Sequence, residues 1–134
     1  MTYLLDVNAL LALGYQAHSH HSRAGAWLAA RRNESGFTLA TCAITELGFV
    51  RVASGSATGH AVDVATARLA LARLKSNPSV RFVFLNDSLG ADCLPAWVRH
   101  SNQTTDGHLA ALAAACGAKL ATFDAGIPGA ELIS

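Results

Sequence analysis

Short apolar runs alternate along this chain with stretches whose apolar residues recur at helical spacing. Tyr3-Leu4-Leu5 makes residues 2 to 6 a short, fully buried strand that stops at Asp6. Leu10, Leu11 and Leu13 then form a brief helical segment ended by Gly14. The polar run His18-Ser19-His20-His21-Ser22 opens a second helix through Ala24, Trp27, Leu28 and Arg31-Arg32, closed by Asn33, Ser35 and Gly36. Residues 37 to 41 alternate and carry β-favouring side chains, which predicts a second strand. Thr41 or Cys42 hands over to a helix holding Ile44, Glu46, Leu47, Phe49 and Val50. Residues 53 to 60 read as a loop, and a long amphipathic helix from Val62 runs to Lys75, stopped by Asn77-Pro78. Residues 80 to 85 are a third strand, and Thr104-Thr105-Asp106 opens a helix that continues from His108 to Cys116. A strand from Lys119 to Phe123 and a short apolar piece, Leu132-Ile133, finish the chain.

Strands separated by helices predict a three-layer α/β/α sandwich with a mostly parallel central sheet. Ligands of such sheets bind beyond the carboxyl ends of the strands, and Asp6 and Asp124 both stand at such ends. At 134 residues the chain is expected to form a single domain over 1–134, with 51% hydrophobic and 14% charged residues. Ten Lys+Arg against nine Asp+Glu leave a formal charge of +1, which neither requires nor excludes a nucleic-acid partner. Cys42, Cys93 and Cys116 are odd in number and lack metal-ligand spacing, as expected of thiols in a reducing compartment. The start lacks the basic region of a signal peptide, and no run approaches the roughly 18 apolar residues of a membrane span. A cytoplasmic protein with no membrane association is expected.

Four acids stand out: Asp6, Glu46, Asp106 and Asp124. Each has an ordinary explanation. Asp6 fits a helix cap, Asp124 a turn before Ala125-Gly126, and Asp106 the favourable first turn of a helix. Glu46 stands among apolar neighbours, where an unpaired acid is expensive unless it reaches solvent. Taken together, two strand-end acids and two on adjoining helices are able to share one cleft. Clustered carboxylates repel, and a hard divalent cation such as Mg²⁺ or Mn²⁺ relieves that conflict. Metal in an open carboxylate site activates water and offsets charge developing on a phosphoryl group. Asn8 and Thr105 are candidates for orienting ligands or water from behind the acids.

The segments Asp6-Val7-Asn8-Ala9-Leu10-Leu11, Ile44-Thr45-Glu46-Leu47, Thr105-Asp106-Gly107-His108-Leu109-Ala110-Ala111-Leu112-Ala113 and Leu120-Ala121-Thr122-Phe123-Asp124 resemble, in order, the four acidic motifs of PIN-domain ribonucleases. The similarity is greatest to the VapC-type toxins of bacterial toxin–antitoxin pairs. This resemblance implies a Mg²⁺- or Mn²⁺-dependent endoribonuclease with an RNA substrate, often a homodimer, inhibited by a cognate antitoxin that inserts into the active site. Carried over by position, Asp6, Glu46, Asp106 and Asp124 form the acidic quartet, with Asp6 and Asp106 the firmest metal ligands. After Asp124 the chain departs from the family's usual charged and aromatic residues and reads Ala125-Gly126-Ile127-Pro128.

Other polar residues read more simply. Asp87 and Asp92 fit a turn and cap, and His18, His20 and His21 a polar first helical turn. His108 is expected on a different helix face from Asp106. Arg31-Arg32, Arg51, Arg68, Arg73 and Lys75 are candidate phosphate contacts whose default is a solvated helix face, and Trp27 and Trp97 read as core or interface anchors. Two other acidic α/β classes fit less well. A haloacid-dehalogenase-like phosphatase carries a second Asp two residues after its first, where Asn8 stands here; a phospho-receiver domain ends a late strand with Lys, whereas Lys119 begins one. A non-catalytic PIN-like binding module is a third alternative, disfavoured by the presence of all four acids.

Overall fold

A computed structural model of the chain describes residues 1–55 and 62–134. Its strands are β1 (Thr2–Leu5), β2 (Thr38–Cys42), β3 (Phe82–Leu85), β4 (Lys119–Thr122) and β5 (Glu131–Leu132), in the order β3-β2-β1-β4-β5. All four pairings are parallel. The helices are α1 (Val7–Gly14), α2 (His21–Arg31), α3 (Ala43–Ala53), α4 (Val64–Lys75) and α5 (Thr104–Ala115).

The period of two along the strands sorts the core into two halves. Tyr3, Leu5, Leu39 and Ala121 point to one face, where they pack with residues of α1, α2, α3 and α4 such as Leu10, Trp27, Phe49 and Leu71. Leu4, Ala40, Cys42 and Leu120 point to the other and meet Leu109, Leu112 and Ala113 of α5. Central strands covered on both faces need the continuous apolar runs seen in the sequence. The α/β/α sandwich expected from the pattern is therefore present, with an entirely parallel sheet.

Element boundaries shift where side chains act as caps. Asp63 accepts a bond from the Thr66 amide at 2.7 Å, so α4 begins at Val64 and Val62 lies in the approach to it. The expected loop at 53–60 falls mostly outside the described residues; Ala53 itself closes α3. The terminal apolar piece becomes β5, and buried Ile133 donates its amide to the Thr122 carbonyl at 2.8 Å. A web of α2 side chains fastens this last strand: Arg23 to the Ile133 carbonyl at 2.9 Å, Trp27 to Glu131 at 3.3 Å, and an Arg31–Glu131 ion pair. Arg31 is thus a structural tie, and Trp27 is a core residue in edge contact with Tyr3. Among the described residues, no helix is long and apolar enough to cross a membrane.

Two glycines permit close helix packing beside the candidate acids. A Cβ on Gly48 would lie 2.4 Å from Val7 Cγ2, and one on Gly107 would lie 2.2 Å from Val98 Cγ2. Val98 is β-branched and stiff, so it cannot swing aside cheaply. Ala normally stabilises a helix interior over Gly by about 1 kcal/mol. Gly107→Ala is expected to reverse that sign, destabilising the fold by roughly 1–2 kcal/mol through overpacking. Urea unfolding of the two proteins measures the difference; a stabilised variant would mean that α5 and the Val98 segment are not packed as described.

Candidate active site

The register of the central sheet assembles the site. β1 pairs with β4 so that Leu5 stands opposite Ala121, and the Asp6 amide donates to the Ala121 carbonyl at 3.2 Å. Asp6 therefore leaves the sheet beside Thr122, two residues before Asp124. Asp6 is only 9% exposed. Its Oδ1 accepts the Ala9 amide at 2.7 Å and so caps α1. The cap explanation is correct, and it leaves the second oxygen of the carboxylate outside the cap. Asp106 enters from the first turn of α5. Asp124 lies past β4, where its Oδ1 also accepts the Gly126 amide at 2.8 Å in a turn.

Asp6, Asp106 and Asp124 line one cavity of about 360 Å³, together with Asn8, Thr105 and Arg51. Both residues proposed to stand behind the acids are thus on its wall. Arg51 is the one cationic side chain on that wall among the described residues, so one of the six candidate phosphate contacts faces the acids.

Thr122 is the residue that sequence reasoning missed. It is 1% exposed, its hydroxyl favours the charged form of the Asp6 carboxylate, and its Oγ1 accepts the Asp124 amide at 3.0 Å. One hydroxyl therefore acts on two acids. The available signal was a hydroxyl closing an otherwise apolar strand, Leu120-Ala121-Thr122.

Glu46 does not join the other three. Its carboxylate lies between α3 and α4, where Lys75 Nζ donates at 2.6 Å and Thr41 Oγ1 at 2.5 Å. It lines a separate groove with Leu47, Val64 and Arg68. The expectation of four acids in one cleft is corrected to three, because a cation and a hydroxyl hold the fourth elsewhere. Lys75 is accordingly an ion-pair partner, not a free surface charge. Asp87, read as a turn residue, does bind the Leu89 amide at 3.0 Å; it also pairs with His108 of α5. The pair lies away from the cavity, and His108 does leave α5 on a different face from Asp106.

Electrostatics mark Asp6 and Asp106 as strained. Burial pushes the Asp6 carboxyl above its ordinary value, opposed by Thr122 and Ala9 and reinforced by Asp124. Burial also raises Asp106, with Asp6 and Asp124 adding to the effect. Among the described residues, no hydrogen-bond donor sits on the Asp106 carboxylate. Hard oxygen donors that repel one another suit a divalent cation. Among the described residues, however, no three His, Cys, Asp or Glu side chains stand together closely enough to hold a metal ion by themselves.

With this geometry established, comparisons with known proteins are decisive. A family model described as "PIN domain" matches residues 3–130. The chain belongs to the PIN-domain family. Ribonuclease VapC38 of Mycobacterium tuberculosis is 42% identical over 125 residues, covering 92% of this chain and 86% of the relative. Ribonuclease VapC44 of the same species is 40% identical over 131 residues, covering 95% and 89%. Among solved structures, the crystal structure of VapBC2 from Rickettsia felis bound to a promoter DNA fragment aligns with a TM-score of 0.61 at 18% identity, covering 98% of this chain and 97% of that one, a likeness of fold. Membership of the PIN family leaves the phosphatase and receiver alternatives without support.

The raised carboxyls of this PIN domain have a thermodynamic consequence. A group that binds its proton more tightly when folded makes stability fall as pH rises from its unfolded value through its folded one. The penalty is complete only above the folded-state value. Asp63 and Asp87, both lowered by hydrogen bonds, contribute in the opposite sense, so the informative quantity is a difference between variants. In EDTA at pH 7, Asp106→Asn is expected to melt on the order of a few °C above the wild type, with the gap closing toward pH 4. Millimolar Mg²⁺ or Mn²⁺ is expected to stabilise the wild type and leave the variant nearly unmoved. Differential scanning calorimetry checks both; equal melting temperatures in EDTA at every pH would remove the repulsion inferred among the three acids.

Proposed function

We propose that the chain is a single PIN domain over 1–134 that acts as a metal-dependent endoribonuclease, the toxin of a toxin–antitoxin pair. The observation that carries this reading is the convergence of Asp6, Asp106 and Asp124 on one cavity, in a chain whose relatives at about 40% identity are named ribonucleases. The residues proposed to hold Mg²⁺ or Mn²⁺ are Asp6, Asp106 and Asp124, with Glu46 outside the set while Lys75 retains it. A divalent cation there supplies Lewis acidity toward a phosphodiester and a water acidic enough to attack it. The chain's own residues do the remaining work. Thr122 acts on both Asp6 and Asp124, and the α1 cap prevents Asp6 from rotating away. Arg51 offers a cation to an RNA phosphate at the rim of an otherwise anionic cavity.

RNA is the substrate class, and a homodimer in the cytoplasm under the control of a cognate antitoxin is the setting we propose. The VapBC2 name of the similar fold, and the VapC names of the relatives, support the antitoxin partner.

Isosteric substitution separates chemistry from folding. Asp6→Asn keeps an oxygen to cap α1 and loses the charge, whereas Asp6→Ala loses both. Asp6→Asn and Asp106→Asn are expected to fold normally and to cleave RNA on the order of 100-fold or more slowly, since several kcal/mol of charge stabilisation is removed. Circular dichroism and cleavage of a labelled RNA in Mg²⁺ measure the two properties; wild-type rates in either variant would refute the assignment. Expression of the wild type alone is expected to arrest bacterial growth, and Asp106→Asn to relieve the arrest. Unimpaired growth at verified wild-type protein levels counts against the toxin role.

A further inference from the structure

The polar run between α1 and α2 touches the chain beside two of the three acids. His18 Nε2 lies 3.0 Å from Asn8 Oδ1, two residues after Asp6. The His20 ring lies 4.7 Å from that of Phe123, the residue before Asp124. Arg23 lies over the same Phe123 ring at 5.1 Å and reaches His20 Nδ1 at 3.2 Å. His21 has a separate, structural task, donating from Nδ1 to the Ala12 carbonyl near the end of α1 at 2.7 Å.

Hydrogen-bond direction assigns the His18 tautomer. The His20 backbone N–H donates to His18 Nδ1 at 3.0 Å, so Nδ1 is the unprotonated acceptor. A neutral imidazole with Nδ1 as acceptor carries its proton on Nε2. Burial, with His20 and His21 close by, holds His18 below the ordinary imidazole value, in keeping with a neutral ring. The Nε2–H then donates to Asn8, and only the amide oxygen of Asn8 is able to accept it. With Oδ1 committed to His18, the Nδ2 amino group is the part of the amide left to donate. Asn8 is exposed and lines both the acidic cavity and its neighbour, whereas Asp6 is buried. Asn8 therefore stands at the mouth, where a ligand arrives, and not on the floor with the acids.

We infer that His18 is a positioning residue: it locks the Asn8 side-chain amide so that Nδ2 donates to a non-bridging oxygen of the RNA phosphodiester. An unlocked amide would present its oxygen to the phosphate in part of the population and repel it. The inference rests on the nuclease reading for its ligand but not for its tautomer. His20 has a supporting part, since its N–H sets the tautomer and its ring fixes the segment against Phe123.

Two measurements test it. Long-range ¹H–¹⁵N NMR of the wild type at pH 7 is expected to show His18 as the Nε2–H tautomer; a Nδ1–H tautomer overturns the inference whether or not the protein cleaves RNA. In cleavage assays His18→Leu is expected to lower kcat/KM about tenfold, the order of one hydrogen bond to a charged group. His18→Gln, which keeps a donor near the Nε2 position, is expected to recover most of that loss. In an Asn8→Ala background His18→Leu is expected to cost nothing further. An equal loss in both backgrounds, or a His18→Gln variant as impaired as His18→Leu, overturns the inference. If the wild type cleaves no RNA, the nuclease reading falls, and with it the phosphate ligand; the NMR result then decides the His18–Asn8 lock alone.

Discussion

Parallel pairing of β1 with β4, in one fixed register, is the constraint on which the rest of the molecule depends. It sets the carboxyl end of the first strand beside that of the fourth and so brings Asp6 next to Thr122 and Asp124. A slip by one residue would turn Leu4 and Leu5 to opposite faces and exchange the two halves of the core. The apolar sorting that stabilises the fold is therefore the same property that positions the acids. No separate device is needed to bring the strand ends together; α5 then adds Asp106 by packing on the Leu4 face.

The acids at this junction do two jobs each. Asp6 caps a helix and Asp124 closes a turn, and each does so with one oxygen. Local bonds of this kind reduce the freedom of the carboxylates before any ligand arrives, so less entropy remains to be lost on binding. They also offset part of the repulsion, since N–H and O–H donors favour the ionised form. Asp106 lacks that help and is the acid whose charge a cation would relieve most directly.

Much of this was legible in the sequence because it depends on local pattern. Strand runs, helix stops and the order of elements follow from hydrophobic period and from Gly, Pro and Asn, and the three cavity acids stand at element ends where the pattern breaks. Glu46 was misplaced for the opposite reason. Its partner Lys75 is 29 residues away on another helix, and no local feature announces an ion pair across a helix packing. The same holds for Asp87 with His108, separated by 21 residues, and for the bond from His18 to Asn8. Helix α4 began later than expected because the cap signal of Asp63 outweighs the apolar character of Val62. Thr122 was overlooked because a hydroxyl in a strand is unremarkable until its neighbours are known.

The cavity draws its acids from positions 6, 106 and 124, so its walls come from segments far apart in sequence. During synthesis the strand that carries Asp6 emerges first of the five, and β2 and β3 can add on only one side of it. The other side stays vacant until β4 has been made. Three of the five strands thus precede the step that sets Asp6 beside Asp124, and a chain that stops short of β4 lacks that junction. Sequence separation acts here as a timer: in this topology most of the sheet is made before the centre it carries can exist.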